Sequence, residues 1–151
     1  MSETAILGLR GCRPFHWDLQ WWLALLAGPV FWLFWSCWHP PLPGWPAALE
    51  LLSLVLLQPL IEELVFRGMV QGYLLQTPWG RLRLGGFTSA NLLTAMLFTG
   101  LHALSHTPAW ALAVFLPALV FGYFRERSGC IYAPLLLHAA YNLGYFLLWP
   151  A

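Results

Sequence analysis

The stretch 47–75 reads AALELLSLVLLQPLIEELVFRGMVQGYLL and constrains the fold more than any other part of the chain. It is strongly apolar except around its centre, where Glu62, Glu63 and Arg67 fall within six residues. The run is long enough to cross a bilayer as a helix, and Pro59 predicts a kink or local break in it. Each charge near the middle of a membrane helix costs about 2.5–3.5 kcal/mol. We therefore expect the charged residues to face protein or a watery cavity.

Four more apolar stretches have lengths near that of a membrane span, at 19–38, 87–104, 109–124 and 131–149. Of the 151 residues, 60% are hydrophobic and only 9% are charged, whereas soluble domains carry about a quarter charged residues. This composition argues against a soluble enzyme and against a disordered chain. It predicts an all-α, polytopic membrane helix bundle with about five transmembrane helices. We expect 1–46 to form a cytoplasmic N-terminus plus the first span, and 47–151 to form the other four helices.

The basic residues predict the orientation of the bundle. All seven are arginines, and six lie in segments that alternate spans place on one side of the membrane: Arg10, Arg13, Arg81, Arg83, Arg125 and Arg127. The positive-inside rule predicts that the N-terminus is cytoplasmic and the C-terminus outside. We expect a multi-pass protein of the plasma (inner) membrane. Because the arginines are scattered and the net charge is +1, a nucleic-acid partner is not expected.

Helical spacing separates the roles of the two adjacent glutamates. Glu63 and Arg67 are four residues apart, acid first, and can neutralise each other. Glu62 is displaced by about 100° around the helix and has no such partner, so its carboxylate is available as a general base or acid. The competing interpretation is a buried ion pair that only fixes helix packing.

Two further polar pairs occur in other predicted spans. Phe98 and His102 are four residues apart in one span, and His138 and Asn142 are four residues apart in another. The second spacing puts two polar side chains on one helix face, where they could hold a developing oxyanion. A single membrane histidine is more often an interhelical hydrogen bond. Two histidines, an asparagine and an acidic pair on three helices predict a functional site.

Small residues and cysteines predict packing. Five glycines should allow close approach of helices: Gly68, Gly72, Gly100, Gly122 and Gly144. Cys12, Cys37 and Cys130 are far apart and follow no metal-binding spacing. We therefore expect no disulfide framework and no zinc knuckle, and we interpret the cysteines as packing or interfacial residues.

The polar residues resemble the three motifs of the CAAX-protease and bacteriocin-processing family of intramembrane proteases, which contains the prenyl-protein endoprotease Rce1. The matching positions are Glu62-Glu63-x-x-x-Arg67, Phe98-x-x-x-His102 and His138-x-x-x-Asn142. The resemblance covers about 47–149 and implies that 47–151 forms a four-helix catalytic core, the intramembrane protease core. It implies a glutamate-dependent peptidase that needs no metal and no cofactor. It also implies that Glu62 activates water with help from His102, that His138 and Asn142 stabilise the oxyanion, and that Glu63 and Arg67 order the site.

The size of the chain narrows the expected substrates. Larger relatives carry around eight spans, and this chain resembles small members associated with C-terminal protein-sorting tails. We expect the partners to be the lipid bilayer and a protein or peptide substrate with a membrane-embedded or sorting-tail segment. Removal of a leader from an exported peptide is a second possibility, and a prenylated CAAX substrate is less expected.

Three other functions remain open on the residues alone. The first is a zinc-dependent metallopeptidase that uses His102, His138 and a glutamate as ligands, with His106 as a further candidate ligand. The second is a non-catalytic immunity or scaffold protein that binds a peptide in the same cavity. The third is a small transporter, which ranks last because the chain has no matching halves.

Overall fold

The computed structural model describes residues 2–150, most of which are helical. The helices are α1 (Glu3–Ile6), α2 (Leu19–Ser36), α3 (48–74), α4 (Ser89–His102), α5 (Pro108–Ser128) and α6 (Tyr132–Leu148). A single 3₁₀ turn, Phe15–Trp17, precedes α2, and two short antiparallel strands, β1 (Arg83–Leu84) and β2 (Phe87–Thr88), precede α4. The predicted helical class is therefore confirmed.

Each of the five predicted spans corresponds to one helix, but the helices differ in length and in apolar character. Two of them, α2 and α5, are long and apolar enough to do so by length and composition alone. Helix α4 has 14 residues, or about 21 Å at 1.5 Å per residue, against about 30 Å of hydrocarbon. The number of spans therefore stays a prediction.

Helix α3 stays continuous through Pro59, without the local break that a proline can cause. It contains two π-helical segments, Ser53–Leu57 and Glu63–Val70, joined by the α-helical turn Gln58–Glu62. The first has a clear cause in Pro59, which has no N–H to donate. The N–H of Gln58 donates to the Ser53 carbonyl, five residues back. In the same register the Leu54 carbonyl would accept from the N–H of residue 59, which proline lacks. A side chain can then use the Leu54 carbonyl.

Helices α3 to α6 pack around two small apolar clusters, and α2 docks on α6 from outside. One cluster joins α5 and α6 to α2 through residues such as Phe121, Leu137 and Trp21. The other joins α4 to α5 through Phe98 and Leu119. The Trp21 indole N–H also donates to the Ala133 carbonyl at 3.1 Å. The first predicted span is thus packed on the core.

The cysteine interpretation is wrong for two of the three cysteines. Cys12 and Cys130 form a disulfide, with their Cα atoms 5.0 Å apart, and Cys37 is free and exposed. The two partners are 118 residues apart in sequence. They meet because the N-terminal segment lies across the end of α5, which no local spacing reveals.

The predicted close approach of another long helix occurs at Gly122 and Gly144, whereas Gly68 and Gly72 meet the N-terminal segment instead. A Cβ at Gly122 would overlap the amide of Asn91, and a Cβ at Gly144 would overlap the ring of Trp32. Gly68 and Gly72 face backbone carbonyls of the N-terminal segment. Among residues 2–150, nothing lies within 4 Å of the position that a Cβ would take at Gly100.

Candidate active site

The three polar motifs converge where α3, α4 and α6 meet. Glu62, Glu63 and Arg67 lie on α3, His138 and Asn142 on α6, and Phe98 with His102 on α4. The predicted pair Glu63–Arg67 is in contact, with Arg67 Nη1 3.3 Å from Glu63 Oε1 and both side chains fully buried. Since neither charge reaches solvent, each depends on the other for compensation.

Aromatic rings and a backbone carbonyl hold the Arg67 guanidinium in place. Its Nη2 donates to the Ala118 carbonyl at 3.1 Å. Its Cζ lies 4.5 Å from the ring centre of Phe98 and 5.4 Å from that of Phe121. Cation–π contact of this kind stabilises a desolvated guanidinium. The motif residue Phe98 therefore supports the ion pair.

His138 connects the two adjacent glutamates. Its Nδ1 is 2.9 Å from Glu63 Oε1, and its Nε2 is 3.6 Å from Glu62 Oε2. The imidazole is stacked on Phe121 with ring centres 4.8 Å apart. Because Glu63 accepts, Nδ1 must carry a proton, which leaves Nε2 to face Glu62. The side chain of Glu62 is 29% exposed, whereas those of Glu63 and Arg67 are fully buried.

The charges of these four residues nearly balance. Two ionised glutamates carry two negative charges, and Arg67 supplies one positive charge. One more proton, carried by His138 or shared with Glu62, would make the group neutral. A neutral buried group costs far less than a charged one. The group is thus suited to move a proton between Glu62 and His138.

Asn142 bonds the carbonyl that the π-helical segment leaves available. Its Nδ2 donates to the Leu54 carbonyl at 2.8 Å. Because an amide nitrogen carries two protons, Asn142 retains a second N–H beyond this bond. The proline in α3 and the asparagine in α6 therefore act together to place this side chain.

His102 lies at the edge of the group, as the last residue of α4. Its Nδ1 is 2.9 Å from the Phe98 carbonyl, and because a carbonyl only accepts, Nε2 carries the free lone pair. The ring centre of Phe98 is 4.5 Å from that of His102 and 6.0 Å from that of His138. No hydrogen bond between His102 and Glu62 occurs within residues 2–150.

Three buried polar residues around the site were missed from the sequence. Gln71 donates to Glu126 at 2.7 Å, Asn91 to the Leu119 carbonyl at 3.0 Å, and Arg125 to the Arg67 carbonyl at 3.1 Å. Gln71 continues the face of Glu63 and Arg67 by four residues, so helical spacing could have identified it. Arg125 was interpreted only as an orientation signal, although it is 5% exposed.

The zinc-peptidase alternative requires several ligand atoms to surround one metal position. Across residues 2–150, no three His, Cys, Asp or Glu side chains are grouped as a metal site needs. His102 and His106 are neighbours, with ring centres 6.0 Å apart. Phe98 contacts both proposed histidine ligands, with its ring centre 4.5 Å from that of His102 and 6.0 Å from that of His138.

Comparison with known proteins places the chain in a family. A family model described as type II CAAX prenyl endopeptidase Rce1-like matches residues 43–144, about two thirds of the chain. The matched range contains all three polar motifs. Neither the curated proteins nor the solved structures contain a match to the chain. The chain therefore belongs to the Rce1-like family of CAAX-type proteases, whose members are embedded in the membrane.

Proposed function

We propose that the protein is a glutamate-dependent intramembrane endopeptidase that hydrolyses a peptide bond near the terminus of a membrane-associated protein or peptide. One observation carries this proposal. Of two adjacent glutamates, Glu63 is committed to Arg67 and fully buried, while Glu62 is partly exposed and lies beside His138. A partly exposed carboxylate next to an imidazole is the arrangement that general-base activation of water needs.

The reaction follows from these positions. Glu62 accepts a proton from water as the water oxygen attacks the carbonyl carbon of the scissile bond. The oxyanion receives hydrogen bonds from the Nε2–H of a protonated His138 and from the second amide N–H of Asn142. Glu62 then returns its proton to the leaving amine, the C–N bond breaks, and an acid and an amine are released. The lone pair on His102 Nε2 assists the transfer from water.

Glu63 and Arg67 order the site without touching substrate. Glu63 accepts from His138 Nδ1 and so fixes the ring with Nε2 toward Glu62. Arg67 balances the charge of Glu63. If His138 is protonated, the net charge of the four residues plus the reacting water is zero before the attack and remains zero when the oxyanion has formed. A buried site then avoids an uncompensated charge at the transition state.

The proposed substrate is a polypeptide with a membrane-embedded segment or a C-terminal sorting tail, and leader removal is a related possibility. A prenylated CAAX terminus, which the description of the matched family names, is the alternative substrate class. We further propose a multi-pass protein of the plasma membrane, and the arginine distribution supports a cytoplasmic N-terminus and an outside C-terminus. In this orientation Cys12 and Cys130 face the cytoplasm, where thiols are kept reduced, so we expect their disulfide to form when the protein is oxidised.

The decisive experiment compares the peptide termini of membrane and secreted proteins between two otherwise identical cell lines. One line makes the wild-type chain, and the other makes Glu62→Gln at equal abundance. We expect a small set of new termini in the wild-type line that disappears with Glu62→Gln. Glu50→Gln is the matched control, because Glu50 is an exposed glutamate on the same helix. It should leave the termini unchanged.

Unchanged termini in a folded Glu62→Gln variant, with a candidate substrate known to be expressed, would refute the protease mechanism and favour a peptide-binding role. Metal content of the purified protein and sensitivity to chelators test the zinc alternative separately. Loss of the specific termini on chelation, restored by zinc, would favour that alternative.

A further inference from the structure

The first residues of the chain lie directly against the helices that carry the active site. Residues 2–13, here called the N-terminal strap, contain α1 and two turns at Gly8 and Gly11, both with positive φ (70° and 77°). The strap lies outside the range 43–144 that the family model matches.

The strap meets α3 on a face that has no side chains. A Cβ at Gly68 would be 3.2 Å from the Leu7 carbonyl oxygen, and a Cβ at Gly72 would overlap the Ile6 carbonyl. The two glycines are four residues apart, so they lie on one face of the helix. A side chain at Gly72 would displace the strap backbone, and one at Gly68 would make a tight contact with it. Arg67 directly precedes Gly68, so this face lies next to the residue that pairs with Glu63.

Arg125 joins the strap to α3. Its Nη2 donates to the Ile6 carbonyl at 2.6 Å, and its Nε donates to the Arg67 carbonyl at 3.1 Å. The strap passes so close to the guanidinium that a Cβ at Gly8 would be only 2.6 Å from Arg125 Cζ. One buried guanidinium thus binds the strap and the backbone of the residue that pairs with Glu63.

The other end of the strap is attached to α5 and α6. The Ile131 N–H donates to the Gly8 carbonyl at 3.0 Å, and the Arg13 N–H donates to the Ser128 carbonyl at 2.8 Å. The disulfide between Cys12 and Cys130 adds a covalent link at the same place. Ile131 directly precedes α6, which carries His138.

We propose that the N-terminal strap is a positioning element of the active site, which holds α3 and α6 at the separation that keeps Glu63 hydrogen-bonded to His138. The bond is 2.9 Å long, and it would break if the two helices moved apart by about 1 Å. The strap is attached to both helices, at Gly68 and Gly72 on one and through Ile131 on the other. This role is independent of the reaction that the site performs.

The test compares Gly72→Ala with Gly100→Ala in full-length protein in detergent micelles. The added methyl group at Gly72 pushes the Ile6 carbonyl away, whereas the one at Gly100 meets open space. Two quantities are measured: the NMR signal of the His138 imidazole, assigned by its loss in His138→Gln, and hydrogen exchange of the amides of 63–72. We expect Gly72→Ala to move the His138 signal and to speed exchange of these amides by about tenfold or more. Gly100→Ala should change neither.

A second variant covers the case in which Gly72→Ala does not fold. Cys12→Ser removes the covalent link and adds no atom between strap and helix. Reduction of the wild-type protein with a dithiol does the same: the S–S bond takes up two electrons and two protons, two thiols form, and the dithiol closes to a cyclic disulfide. We expect both treatments to speed exchange of the strap amides and to move the His138 signal away from its wild-type position.

The proposal is overturned if the amides of the strap or of 63–72 exchange faster in these proteins while the His138 signal stays at its wild-type position. That result would mean that the strap packs on the bundle without controlling the site. Because neither measurement involves peptide cleavage, the outcome does not depend on whether the protein is a protease.

Discussion

At the scale of single residues, neighbours in sequence have different environments. Glu62 and Glu63 have the same carboxylate, but a step of about 100° around the helix buries one against Arg67 and leaves the other partly exposed beside His138. Helical spacing identifies the acid that pairs with arginine. It does not identify the histidine that lies between the two acids, because that residue is 75 positions away along the chain.

The buried ion pair gives the first residue-scale prediction. Arg67→Met should lower the free energy of unfolding by about 3–5 kcal/mol, because it leaves Glu63 charged and without its partner inside the bundle. The double variant Glu63→Gln with Arg67→Met should recover most of that loss, since neither charge is then present. Both are measured by reversible unfolding in mixed micelles. A double variant as unstable as the single one would show that packing around Arg67, not charge, causes the loss.

At the scale of elements, α3 shows how a proline can change hydrogen bonding without ending a helix. The sequence predicts a kink or break at Pro59, and the structure has π-helical hydrogen bonding before it. The Leu54 carbonyl becomes an acceptor for Asn142 as a result. The local geometry of a site residue on α6 thus originates in the backbone chemistry of α3.

This coupling gives an element-scale prediction. Asn142→Ala should lower the free energy of unfolding by about 1 kcal/mol, because the Leu54 carbonyl loses its donor. In a Pro59→Ala background the cost should be smaller, since the new backbone N–H lets the helix satisfy its own carbonyls. A double-mutant cycle from reversible unfolding measures the difference. Equal costs in both backgrounds would argue that Pro59 does not expose the Leu54 carbonyl.

The close packing of α4 on α5 gives a second prediction at this scale. Gly122→Ala should destabilise the protein by about 1–3 kcal/mol, because its methyl group would overlap the Asn91 amide. Gly100→Ala should be neutral or stabilising by up to about 1 kcal/mol, since it replaces glycine within a helix at an open position. Thermal unfolding of wild type and of the two variants measures both changes in stability. Similar destabilisation by both would contradict this packing.

At the scale of the whole molecule, the parts outside the matched family range are attached to the core at several points. Asp18 caps α2 and also receives hydrogen bonds from Arg127 near the end of α5. Large apolar side chains on the outer face of α2 are exposed in the isolated chain, among them Leu23, Leu26 and Leu33. A bilayer would cover such a surface, in keeping with a membrane-embedded family.

The Asp18–Arg127 contact gives a prediction about pH. The hydrogen bonds from Arg127 lower the pKa of Asp18 below its usual value. A lowered folded-state pKa means that the contact stabilises the fold above the unfolded-state pKa, about 3.9, and that this stabilisation is lost as the pH falls through the folded-state pKa. Wild type should therefore be more stable than Asp18→Asn at pH 7, and the difference should shrink below about pH 4.

Asparagine is a suitable replacement because it caps a helix as well as aspartate does and removes only the charge. Arg127→Gln should produce the same loss at pH 7. The interpretation fails if the difference between wild type and Asp18→Asn is unchanged from pH 7 down to pH 3, as measured by thermal unfolding.

The sequence by itself determined the helical class, the positions of the five long helices, the Glu63–Arg67 pair and the three motifs that identify the family. These features are local, because they depend on apolar run length and on spacings of four residues within one helix, which follow from helix geometry. A match over 43–144 agrees with the motif assignment.

Only the tertiary structure decided that His138 connects Glu62 to Glu63, that Asn142 binds the Leu54 carbonyl, and that Arg125 and the N-terminal strap lie against α3. It also decided that Cys12 and Cys130 form a bond and that Gly100 has no close neighbour. Each of these depends on which helix faces which, over separations of up to 119 residues. Helix spacing carries no such information, since side chains on different helices meet only through the packing of the whole bundle.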